Sequence, residues 1–143
     1  MSRYGRIIGV DVGSKRVGLA RTDLLRRSVN PIGTFTPKNS FLEIEKQILS
    51  EGPVKALVIG WPLTPQGDPT HATPLASDFY KKLKKKYPEI DIFKFDERYS
   101  SREALRLMAE SGVPKKKRQK KGRLDQAAAA LILTQFLEAY PEI

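Results

Sequence analysis

The chain has 143 residues and no cysteine, and its 26 Lys and Arg outnumber 16 Asp and Glu to give a net charge of +10. Disulfides and thiolate metal sites are therefore excluded, leaving oxygen ligands and the single imidazole of His71, and the charge favours a polyanionic partner over an acidic small molecule. The length suits one domain spanning 1–143. With no apolar leader and no stretch of about 18 apolar residues, a cytoplasmic protein without membrane contact is expected.

Arg6 to Val12 and Val17 to Thr22 are apolar strands joined by a glycine-containing turn too short for a crossover, which predicts an antiparallel hairpin. Val29 to Thr36 adds a third strand, placed at an edge because Pro31 has no amide proton to donate. The pattern then alternates. Ser40-Phe41-Leu42-Glu43 fits a capping box, followed by Phe41, Ile44 and Ile48 on one helical face. Val54 to Gly60 reads as a buried parallel strand. Leu75, Phe79 and Leu83, spaced by four, predict a helix whose other face carries Lys81 to Lys86, and Ile90 to Phe95 is the next strand. Ser100-Ser101-Arg102-Glu103 is a second capping box for a helix that stops near Gly112 and Pro114. The last helix runs from about Leu124 to Ala139 and carries Ala128, Leu131, Ile132 and Phe136. A hairpin followed by right-handed crossovers predicts an α/β fold of three layers, with a mixed sheet and helices on both faces.

Three acids stand at the margins of apolar elements: Asp11 ends the first strand, Asp96-Glu97 follows the fifth, and Asp125 opens the last helix. An acid at the end of a buried strand is costly to desolvate unless something pairs with it, and a metal ion is a natural partner. Three carboxylates from separate elements of a basic protein point to metal-assisted cleavage of a nucleic acid. Each has a plainer alternative. Asp11 can shape a turn, Asp125 suits a helix N-cap or a first-turn partner of the helix dipole, and Glu97 can pair with Arg98 or another surface arginine. Ser14, Lys15 and Arg16 beside Asp11 either bind a flanking phosphate or form a solvated turn. In Lys115-Lys116-Lys117-Arg118-Gln119-Lys120-Lys121-Gly122-Arg123, seven of nine residues are basic and none is acidic, which predicts a loop that orders on a phosphate backbone. Lys81 to Lys86 reads as a solvated helix face and His71 as a surface residue. Trp61 and Tyr99 either stack on unpaired bases or pack beneath loops.

Asp11-Val12-Gly13-Ser14-Lys15-Arg16-Val17-Gly18, Gly60-Trp61-Pro62-Leu63, Asp96-Glu97-Arg98-Tyr99-Ser100 and Leu124-Asp125-Gln126-Ala127-Ala128 resemble, in order and spacing, the motifs of the YqgF family. The resemblance runs over essentially the whole chain. These are bacterial proteins of the ribonuclease H-like fold, described as Holliday junction resolvases and as nucleases maturing the small-subunit ribosomal RNA precursor. It implies a mixed five-stranded sheet of order 3-2-1-4-5. It further implies Asp11, Glu97 and Asp125 as catalytic acids and ligands of two Mg²⁺ or Mn²⁺ ions. Nucleic-acid contacts are expected from Ser14, Lys15, Arg16, Arg98, Lys115, Lys116, Lys117, Arg118, Lys120, Lys121 and Arg123. The expected partner is structured RNA or branched DNA, with ribosomal precursor particles as one source, bound by a monomer or a homodimer.

One departure from the related resolvases stands out. Their second acid ends the fourth strand, where this chain has Gly60-Trp61-Pro62. In the order 3-2-1-4-5 the fifth strand lies about 10 Å from the first, so the longer Glu97 is preferred over Asp96 as the replacement. A binding module with little catalysis is the second reading. A phosphotransferase of the actin and sugar-kinase type is the third, although that architecture needs two such domains.

Overall fold

The computed structural model describes residues 4–64, 66–96 and 121–141. Its elements, in chain order, are β1 (Arg6–Val12), β2 (Val17–Thr22), β3 (Val29–Phe35), α1 (Pro37–Ser50), β4 (Val54–Trp61), α2 (Thr73–Lys86), β5 (Asp91–Asp96) and α3 (Lys121–Ala139). They form one mixed sheet of order β3-β2-β1-β4-β5, the ribonuclease H-like arrangement expected. β1 pairs antiparallel with β2 and parallel with β4. Glu97, Arg98, Tyr99, the capping box at Ser100 and residues Lys115 to Lys120 of the basic run lie outside the described residues.

Burial explains why the central strands are nearly continuous apolar runs. Side chains alternate between two faces, and both faces of this sheet are covered. Ile8, Val10, Val17, Leu19, Leu57 and Ile59 pack on one side with Ile44 of α1 and Phe79 and Leu83 of α2. Ile7, Ala20, Ala56 and Val58 pack on the other with Ala129, Ile132, Leu133 and Phe136 of α3. The result is the three-layer fold predicted.

Local details differ from the sequence-based expectations. Ser40 is not an N-cap: α1 begins at Pro37, whose fixed φ and missing amide proton suit the first helical position. Thr36 is the cap, accepting from the Asn39 amide at 3.2 Å. Ser40 is buried within the helix and donates to the Pro37 carbonyl at 2.6 Å. On α2 the inward stripe is Ala76, Phe79 and Leu83, and Leu75 sits at its exposed rim. At the β2–β3 edge, Leu19 pairs with Gly33 and Ala20 with Pro31, so the ladder slips by one residue next to the proline. The described part of α3 takes in Lys121, Gly122 and Arg123, which puts them in a helix and not in the expected loop. Among the described residues no helix is long and apolar enough to cross a membrane.

Candidate active site

Asp11 is the next-to-last residue of β1 and stands directly opposite Gly18 of β2. Residues facing each other across a strand pair project to the same side of the sheet. A side chain at Gly18 would run into the backbone carbonyl of Asp125, so the second turn of α3 rests on the bare α-carbon at this position. Two residues earlier, a side chain at Gly9 would lie 2.9 Å from the Ala129 carbonyl oxygen and 3.0 Å from Leu133 Cβ. The helix therefore runs antiparallel to β1. The step from Gly9 to Asp11 spans about 7 Å of strand, and that from Ala129 to Asp125 about 6 Å of helix. Glycines at 9 and 18 thus set Asp125 on the same face and at the same end of the sheet as Asp11.

Asp125 lies in the second turn of α3, which excludes the N-cap alternative, because a cap must precede the first helical residue. Its carboxylate accepts from Arg16, with Nε 3.0 Å from Oδ2. Arg16 belongs to the short turn between β1 and β2, which is closed by the Gly13 amide donating to the Arg16 carbonyl at 2.9 Å. Ser14 and Lys15 are exposed at the tip of that turn. The turn after Asp11 and the helix carrying Asp125 are thus joined by an ion pair that the sequence reading, with Arg16 as a phosphate ligand, did not anticipate.

On the other side of β1 the ladder with β4 runs as far as Val10 with Ile59, and the same register one residue further sets Asp11 against Gly60. No carboxylate is supplied there. Gly60 pairs in turn with Phe95 of β5, whose ring meets Phe136 of α3 edge to face at 6.0 Å. Phe95 therefore occupies the Asp11 face, and alternation sends Asp96, paired with Trp61, to the opposite face. Trp61 packs there against Tyr80, ring centroids 6.3 Å apart. The Lys94 ammonium stands 4.6 Å from one ring and 4.7 Å from the other. Trp61 belongs to the α2 side of the core, which favours packing over base stacking.

His71 is exposed in the loop before α2. In the lysine-rich face of α2, Lys86 binds Glu45 at 2.8 Å and the other lysines are exposed, as a solvated face requires. Among the described residues no three His, Asp or Glu side chains gather around one point. Asp11 and Asp125 are two of the three acids expected, and Glu97 lies outside the described residues. A cleft at the β2–β3 turn, lined by Arg26, Arg27, Thr134 and Glu138, is remote from these acids. From Asp125 to Thr134 the helix rises about 14 Å.

The close approach at Gly18 carries a direct expectation. Gly18→Ala forces α3 away from β2, and overpacking of this kind costs about 1–3 kcal/mol. The thermal midpoint is expected to fall by roughly 3–10 °C. A scanning-calorimetry midpoint equal to the parent's would show that the helix yields at no cost.

Known proteins are similar to this chain in sequence and in fold. Residues 5–139 match the family model described as RuvX, Holliday junction resolvase. A protein of Chlorobium luteolum named "Putative pre-16S rRNA nuclease" is 41% identical over 138 residues, covering 96% of this chain and 97% of its own. A protein of the same name from Salinibacter ruber is 37% identical over 137 residues, covering 96% and 95%. In fold, the chain is similar to the fowlpox virus Holliday junction resolvase, with TM-score 0.56 at 14% identity, covering 94% of this chain and 99% of that one. It is also similar to Thermus thermophilus RuvC solved in complex with a Holliday junction substrate, with TM-score 0.51 at 13% identity, covering 96% and 97%. With a family model spanning nearly its whole length and relatives more than one-third identical along it, the chain belongs to the RuvX family of Holliday junction resolvases.

Proposed function

We propose that this chain is a one-domain, metal-dependent endonuclease of the cytoplasm that hydrolyses phosphodiester bonds in structured nucleic acid. The observation that carries this reading is the seating of Asp125 on Gly18, directly across from Asp11. Two acids from separate elements are held together by tight backbone packing in a chain of net charge +10. We further infer that the substrate is the 5′ end of the small-subunit ribosomal RNA precursor. The names of the curated relatives support RNA, whereas the family description supports a branched DNA junction as the second reading.

The donor set suits a hard divalent cation. Among the described residues the acids Asp11 and Asp125 share this end of the sheet, cysteine is absent from the chain, and the one histidine is exposed in the loop before α2. Asp11, Asp125 and Glu97 would hold Mg²⁺ or Mn²⁺, whose contribution is Lewis-acid stabilisation of charge developing on the phosphoryl oxygens. The protein's own part is placement. Gly9 and Gly18 fix α3 against β1, so that Asp125 cannot drift from Asp11. Ser14, Lys15 and Arg16 are close enough in sequence to Asp11 to bind the flanking phosphate, and Arg98 is assigned a nucleic-acid contact as well. Side-by-side cleavage of a precursor RNA fragment and a four-way DNA junction, with Mg²⁺, Mn²⁺ or chelator, tests the reading. Cation-dependent cutting of the RNA is expected. Cutting of the junction alone transfers the assignment to DNA, and no cutting of either favours a binding module.

The basic run gives an independent expectation. Neutralising Lys115, Lys116, Lys117 and Arg118 together should weaken binding to all sequences alike. It should also reduce the slope of log K against log salt by about three to four units if all four touch duplex phosphates. Folding stability should stay unchanged. A slope equal to the parent's removes these residues from the interface.

A further inference from the structure

The ion pair between Arg16 and Asp125 has no place in the chemistry proposed above. A guanidinium Nε at 3.0 Å occupies the Oδ2 oxygen that a divalent cation needs, and its positive charge repels that cation at short range. Stability does not explain the pair: with side chains 40% and 27% exposed, it is the kind of contact that adds little to folding. Nor does the helix need it for placement, because Gly9 and Gly18 already fix α3 on the sheet. Arg16 instead stands in the short turn after Asp11, beside exposed Ser14 and Lys15. A backbone phosphate reaching this turn would meet a guanidinium fork, the side chain that matches phosphate oxygens best.

We propose that Arg16 is a positioning residue that covers Asp125 while nucleic acid is absent and releases it when a phosphate takes the guanidinium. Cation and nucleic acid then bind with positive coupling, because each removes an obstacle to the other, and the coupling is reciprocal. The protein holds its divalent cation weakly until a substrate phosphate is present. This inference rests on the nuclease reading of the same acids.

The test uses the full chain in two titrations. Mn²⁺ is titrated calorimetrically into the parent, Arg16→Gln, Asp125→Asn, the Arg16→Gln/Asp125→Asn double variant and Asp11→Asn, all without nucleic acid. A fluorescent RNA duplex is titrated by anisotropy in chelator across a salt series. Arg16→Gln is expected to bind Mn²⁺ about two- to fivefold more tightly than the parent, within the range that release from an exposed ion pair gives. The same variant should bind the duplex more weakly, with a salt slope smaller by about one unit. The gain in Mn²⁺ affinity should vanish in the Asp125→Asn background.

A merely structural Arg16 would lose Mn²⁺ and RNA affinity together, and a simple phosphate ligand would leave Mn²⁺ affinity unchanged. Either result overturns the proposal, as does a gain that persists without the Asp125 carboxylate. Equal Mn²⁺ affinity in the parent and in Asp11→Asn is a different failure. It overturns the nuclease reading itself, and the gate falls with it.

Discussion

Asp11→Asn is expected to lower the rate of cation-dependent cleavage by about three orders of magnitude or more while leaving the fold in place. The reason is position. Asp11 lies near the end of a strand buried on both sides, across from Gly18, on which the backbone of α3 rests, so its side chain leaves the sheet on the α3 face. The amide is almost isosteric and fits the same space, but it carries no charge and is a far poorer ligand for a hard cation. Most nucleic-acid affinity comes from phosphate contacts by basic residues and should survive. The thermal midpoint should stay within about 3 °C of the parent, since replacing a half-buried acid by its amide changes little packing. Single-turnover cleavage at saturating enzyme, beside a melting curve of the same sample, reads both halves of the expectation. Undiminished cleavage by the folded variant would remove Asp11 from the chemistry.

The strand-end position of Asp11 was legible because alternation and a glycine turn are local signals, carried by Val10-Asp11-Val12 and Gly13. The sheet order followed from equally simple rules: a hairpin too short for a crossover, then strands separated by helices. What escaped was the interlock between layers. Gly9, Gly18 and Ala20 lie on one face of β1 and β2, and Ala127 to Ala130 form a small-residue stretch in α3. Together they mark a close helix-on-sheet approach, but each is also an ordinary residue for its own element. Only their pairing in space gives them meaning. The starts of the helices were misplaced for a related reason. Ser40-Phe41-Leu42-Glu43 satisfies the capping-box pattern, yet Thr36-Pro37 four residues earlier combines a side-chain cap with a proline suited to the first turn, and it prevails. At α3 the basic residues Lys121 and Arg123 suggested a loop by charge alone, although both are good helix formers. Asp125 was legible as an acid near the start of the last helix, but its ion-pair partner was not: a contact between residues 16 and 125 leaves no trace in local sequence.

Glu97→Gln is expected to slow the chemical step by about two to three orders of magnitude, with Asp96→Asn milder. The described part of β5 supports this choice between neighbours. Phe93 and Phe95 pack with the α3 side of the core and Ile92 with the other, so the strand alternates regularly up to its last residue. Asp96 is therefore directed to the Trp61 side, away from the face that Asp11 shares with α3. An acid reaching the Asp11 face from this strand must come from a position of opposite parity, and Glu97 is the next such residue in the sequence. Gly60 strengthens the argument. It stands between Asp11 and Phe95 in the sheet and has no side chain to block an approach across β4. The extra methylene of glutamate favours that reach over a gap of about 10 Å between first and fifth strands. The decisive measurement is the single-turnover rate of each variant at saturating enzyme and Mg²⁺. A dead Asp96→Asn beside an active Glu97→Gln would reverse the assignment and require the chain to break its alternation at the end of β5.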